Sequence, residues 1–404
     1  MVLRTTIMAA AGVLIGTPVQ ALDPQDFIDL VIADALTLGL EAESRPKIRL
    51  DGENAIVSEL VLFEPLAPYL TDFAASLHGF DICPHTLCAD VAGGVIAEGL
   101  SEAEDGYSAR RVSASDISVL NLGLGVEIER ISLAPAHLGR PADGTNGLLS
   151  ASPMLDFALH HVGQKPLAPG AYPSTLEIEN LTLEFDGDTL MTFDSLVQET
   201  MIEADQETLN DEITVTGIVI DQSSQTTALS SQPQSMTNAV RALRNAIASQ
   251  AWDADGSGDA VLELDFGDHG IVRMAAHDYV LPFEAFLDFA GIEGHFMPSS
   301  YFTGSTVRSA AIQIDPGIFE LAGDDHSMLE AALLGLAATA PDAERRADET
   351  AAVDRFVAGD EGLEITFAVD RPVDIEKLLD KLSGSPMRLL SGNLRAAITI
   401  ASPT

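Results

Sequence analysis

The sequence predicts an α+β protein: an elongated body rich in antiparallel sheet, made of amphipathic strands with helices covering one face. Three observations carry that expectation. First, residues 175–220 alternate apolar and polar side chains with a period of two, as a half-buried strand requires. Leu176 and Ile178 alternate with Glu177 and Glu179; the parity then flips near Asn180, and Leu181, Leu183 and Phe185 alternate with Thr182 and Glu184. A flip of that kind marks a bulge. Second, the same alternation recurs along most of the chain, punctuated by Gly, Asp and Pro turns. Third, a few segments instead space their apolar residues three and four apart, as a helix does.

In chain order, the first feature is a leader. Arg4 precedes the apolar run IMAAAGVLIG at 7–16, and Val19-Gln20-Ala21 has the small-residue pattern of a cleavage site. A run of about 10 apolar residues is too short to span a bilayer, which takes roughly 20. No cysteine follows it to carry a lipid. Residues 1–21 therefore read as a signal peptide, and the mature protein as exported, periplasmic and without a transmembrane span.

Residues 26–38 place Phe27, Ile28, Val31, Ile32, Ala35 and Leu36 on one helical face. Strands follow at 47–50 and 55–63, then a helix or crossover at 65–77. Cys83 and Cys88 are the only cysteines. In an oxidising compartment their closeness predicts a local disulfide, whose small loop contributes about 2 kcal/mol. Strands at 91–100, 107–122 and 126–133 lead to a Gly- and Pro-rich loop at 139–147 and a helix at 154–162. Residues 189–193 begin the return strand after the turn at Asp186-Gly187-Asp188. The polar stretch DQSSQTTALSSQPQS at 221–235 reads as a linker or long loop. It divides the chain into halves of α+β texture at 22–220 and 236–404.

In the second half, Met236, Val240, Leu243 and Ile247 predict a helix over 236–251. A hairpin at 260–266 and 270–279 follows, then a short helix at 283–290 and a strand at 306–314. Helices at 325–340 and 343–357 are separated by Pro341. A strand at 363–369, a helix at 373–382 and a strand at 394–400 complete the chain.

The chain of 404 residues carries a formal charge of −41, with 62 acidic against 21 basic residues. Arg4 is the only charged residue among the first 21, so removing them leaves −42. Only Lys47, Lys165, Lys377 and Lys381 are lysines. Such a surface repels nucleic acid and anionic headgroups, and suits cations or solubility in salt.

Segments such as VSASDISVL (112–120), LEIENLTLEF (176–185) and LEITFAVDRPVDIEKLLDKL (363–382) resemble the AsmA-like and YdgA-like envelope proteins of Gram-negative bacteria. The resemblance implies an envelope location and a role in lipid trafficking or envelope assembly. The absence of a spanning helix departs from the anchored members.

One motif has ion chemistry. In Asp253-Ala254-Asp255-Gly256-Ser257-Gly258-Asp259 oxygens fall at the first, third and fifth positions with glycine at the sixth, as in the start of an EF-hand loop. Asp253, Asp255, Ser257 and Asp259, with Glu263, are the candidate ligands for Ca2+. Leu264 stands where the bidentate glutamate belongs, and a Gly- and Asp-rich turn would look the same. No GxSxG or HExxH occurs, and Pro46 spoils the SxxK of Ser44 to Lys47. His160 and His161, and His269 and His277 beside Asp268 and Asp278, do not assemble a triad by spacing.

These readings favour a non-enzymatic envelope protein that binds an apolar ligand, a lipid, or a protein partner beside its oily sheet face. The alternatives are an exported hydrolase whose groups converge from distant segments, and a scaffold with a calcium-stabilised turn.

Overall fold

The computed structural model describes residues 41–64, 87–103, 106–121, 124–139, 157, 160–161, 167, 170, 172–185, 187–203, 206–220, 234–253, 257–280, 306–374 and 394–400. A sheet of 17 strands dominates it. Its strands are β1 (Glu41–Ala42), β2 (Lys47–Asp51), β3 (Asn54–Ser58), β4 (Leu60–Glu64), β5 (Leu87–Glu98), β8 (Arg111–Asn121), β9 (Leu124–Ala134), β11 (Ser174–Phe185) and β12 (Asp188–Ile202). They continue with β13 (Thr208–Thr216), β14 (Val219–Ile220), β15 (Asn245–Asp253), β16 (Ser257–Asp265), β17 (Ile271–Val280), β18 (Thr306–Ile314), β19 (Leu363–Asp374) and β20 (Leu394–Ile400). A separate small sheet holds β6 (Ser101–Ala103), β7 (Gly106–Ala109) and β10 (Ala136–Gly139).

The topology is one antiparallel meander. Three pairs are interrupted single rungs: β1 with β2, β3 with β4, and β13 with β14. The 17 strands thus form fourteen rungs, and each rung pairs with the next along the chain. At about 4.8 Å per rung the sheet extends roughly 60 Å before twist is counted. Pairing of β13 with β15 carries the sheet straight across residues 221–235.

The α+β expectation, with helices covering a face, is corrected by this topology: the protein is mostly one large antiparallel sheet. The helices with described bounds are α1 (Gln234–Ala242), α2 (His326–Ala337) and α3 (Ala343–Val357). Only the α2–α3 pair, with the 3-10 segment Pro316–Asp325, joins a core cluster with the large sheet, and it does so at one end. The helix expected over 236–251 stops at Ala242, and β15 begins at Asn245. The Arg244 guanidinium donates to the carbonyls of Arg241 and Leu243 at 2.8 and 2.9 Å, satisfying groups that a helix end leaves open. Ile247 kept the helical spacing by coincidence. Pairing on both sides of β15 outweighed local propensity.

The strand expected over 107–122 is likewise two strands, divided at Arg110 between the small and large sheets. The pair expected at 325–340 and 343–357 is α2 and α3. Asp342 caps α3, its carboxylate accepting the Arg345 N–H at 2.8 Å. Phe157, His160 and His161 are helical, as expected for 154–162. The expectations for 26–38, 65–77 and 283–290 lie outside the described residues; of the helix expected over 373–382, Val373 and Asp374 instead end β19 and the rest lies outside them.

Candidate ligand-binding face

Residues directly opposite in an antiparallel ladder share a face. Following the register from one edge gives Ile48, Val57, Val95, Ala114, Ile131, Ile178 and Leu196. It continues through Val215, Ala246, Leu264, Val272, Ile314, Leu363 and Ile400. Every rung contributes an apolar side chain, so an unbroken apolar row crosses the whole sheet.

A crease lies beside that row. Glu59, Asp116 and Asn180 have φ of 58, 51 and 49°, and Gly94 and Gly217 have φ of 79 and 67°. Register places them in line: Asn180 sits between the pairs Glu179–Arg130 and Leu181–Ile128, and Asp116 between Ser115–Arg130 and Ile117–Ile128. A left-handed residue reverses the side to which the next side chain points. The sequence reverses its apolar parity at the same place, so the two reversals cancel. Val95, Ala114 and Ile131, before the crease, therefore pack in one cluster with Leu60, Leu62, Val91 and Ile117 beyond it. At Gly94 a Cβ would lie 2.4 Å from the Val57 carbonyl oxygen, which excludes any side chain. The Asn180 amide donates to Glu129 across the crease.

Both ends of the apolar face are covered. Tyr107, Ala109 and Ala136 of the small sheet pack on Ala55, Val57, Ala97 and Val112. At the other end Leu333, Val353 and Phe356 of α2 and α3 pack on Leu363, Ile365 and Ile398. Between the caps Leu176, Ile178, Leu181, Leu183, Leu196 and Ile213 are half-buried. The opposite face is mainly polar, with Ile56, Ile96, Val197, Ile247 and Val261 set among its polar residues. There Arg130 donates to Glu179, and its pKa is raised by that hydrogen bond, with the charges of Glu179, Glu177 and Glu129 adding to it against the effect of burial.

One polar node interrupts the apolar face. Asp211 is only 6% exposed, and its register partners are Thr200 and Gln250. Its carboxylate accepts the Thr200 hydroxyl at 2.6 Å and the Gln198 amide at 2.9 and 3.1 Å. Beside it Gln250 accepts the Trp252 indole N–H at 3.0 Å, and Trp252 and Leu209 are buried. The sequence reading missed this node, although a signal was there. Asp211 shares the parity of Leu209, Ile213 and Val215, so an acid stands at a position of the apolar set.

Of the calcium candidates, Asp253, Ser257, Asp259 and Glu263 are among the described residues. No helix enters the motif: Asp253 ends β15 and Ser257 begins β16, strands that pair with each other, and Asp255 lies outside the described residues. Asp253 accepts from the Thr208 hydroxyl at 3.5 Å, and Asp259 faces His277 Nδ1 at 3.3 Å. Glu263 lies four residues further along β16, past an irregularity at Asp259, with Cα atoms roughly 13 Å apart at most, and opposite Arg273. Among the described residues no group of three His, Cys, Asp or Glu side chains could hold a metal.

Cys88 lies on β5; Cys83 is outside the described residues. His269 Nδ1 is 3.7 Å from Glu320, and Lys47 pairs with Glu59. His161 meets Phe157 edge-on at 4.5 Å and His160 at 5.2 Å. No helix among the described residues is long and apolar enough to cross a membrane. The chain matches no known family model, and no curated protein matches it in sequence.

Proposed function

We propose that the protein is a non-enzymatic binder of an apolar, acyl-chain ligand, held along the sheet face between the two caps. The observation that carries this reading is the apolar row that crosses every rung, closed at its ends and half-buried between them. A sheet face this long and oily must be covered, and a linear hydrocarbon matches its shape. The leader at 1–21 and the cysteine pair support action in the periplasm, and the resemblance to AsmA-like and YdgA-like proteins points the same way. Cys83 and Cys88 form the local disulfide in that setting.

Titration with N-phenyl-1-naphthylamine, a neutral apolar fluorophore, tests the reading. Wild type and Thr182→Asp, altered on the polar face, should bind it saturably. Leu181→Asp and Leu181→Trp, which charge and fill the apolar face, should bind about tenfold more weakly, a change of roughly 1.4 kcal/mol. No saturable signal in wild type, or unchanged affinity in both Leu181 variants, would refute it.

A further inference from the structure

We infer that the Asp211 node is the recognition site for a cationic head group, an ammonium, on the ligand whose chain lies along the apolar face. The inference rests on the apolar-ligand reading and names the ligand's polar end. Asp211 is more than nine-tenths buried, and among the described residues the donors to its carboxylate are neutral: the Thr200 hydroxyl and the Gln198 amide. A carboxylate removed from water is costly unless a positive charge pairs with it, and neutral donors compensate only in part. Ionised, it offers about four lone-pair sites, and three contacts occupy it here. A further donor bearing charge would complete it.

Position supports the same conclusion. The node lies on the apolar side of the sheet, on the strands that carry Leu196, Ile213 and Val215, so a chain on those residues brings its end to Asp211. Gln198 and Gln250 beside it are half-buried, which leaves the approach past their amides.

The test compares dodecylammonium and dodecanol binding by calorimetry in about 0.5 M NaCl, where the screening length is roughly 4 Å and the protein's overall charge attracts cations little. Wild type should prefer the ammonium about tenfold. Asp211→Asn should lose that preference while keeping its dodecanol affinity, and Glu184→Gln, on the polar face, should keep both. Equal affinities in wild type, a preference that survives in Asp211→Asn, or one lost in Glu184→Gln would overturn the head-group assignment alone. Loss of dodecanol binding in Asp211→Asn would make the residue structural and overturn it too. Failure of wild type to bind either amphiphile would refute the apolar-ligand reading with it.

Discussion

Replacing Asn180 by valine puts a β-branched side chain at a φ of 49°. The left-handed conformation costs an ordinary residue about 1–2 kcal/mol, and a β-branched one sits at the upper end. The substitution also removes the hydrogen bond from the Asn180 amide to Glu129, worth about 0.5–1 kcal/mol at an exposed site. Together the loss is about 2–3 kcal/mol. Asn180→Gly loses the same hydrogen bond but adopts the conformation freely, so the difference between the variants isolates the crease at about 1–2 kcal/mol. Urea unfolding followed by far-ultraviolet circular dichroism reads it: both midpoints fall, that of the valine variant further. Coincident midpoints would refute the claim that a left-handed residue is what keeps the apolar face continuous here. Gly94→Ala should be worse than either, because its Cβ meets backbone at Val57 and not a yielding side chain.

Three further perturbations test other parts of the structure. Phe356→Ala empties the centre of the helix-pair cap, where Phe356 is 1% exposed and meets Phe319 edge-on at 5.5 Å; it should cost about 3–5 kcal/mol in urea unfolding. Asp342→Ala removes the N-cap of α3 and should cost about 1 kcal/mol by the same measurement. Calcium at constant ionic strength should raise the Tm of wild type, by about 2.7 kcal/mol of stability at a hundred times the dissociation constant, and not that of Asp255→Ala, if Asp253, Asp255, Ser257 and Asp259 hold the ion; equal responses would leave the motif a turn.

The sheet was legible because alternation is local. The parity change between Ile178 and Leu181 marked Asn180, but as a left-handed residue and not the expected bulge: the register runs in step through it, and the irregularity of β11 falls between Leu183 and Glu184; the disturbance at Gly217 and Ile218 marked the far end of the same crease. That these breaks line up across the sheet was not legible, because register between strands is fixed by long-range pairing and not by neighbouring residues. The same limit explains β15: Ile247 and Ala251 are apolar on the polar side of the strand and blurred its period, so helical spacing in Met236, Val240 and Leu243 was extended too far. Asp211 looked like one acid among 62. Only its pairing with Thr200 and Gln250 shows it as a buried group on the apolar face. The Asp253 motif was expected behind a helix and instead follows a strand, because β15 pairs on both sides.

The most direct test of ligand binding is native mass spectrometry of the protein purified from the cells that make it, paired with organic extraction of the same sample. A single added mass in the lipid range, lost on extraction and recovered as an acyl-chain compound, is the expected result. The bare polypeptide mass, with nothing extracted and no mass gained on incubation with dodecylammonium or dodecanol, would contradict it.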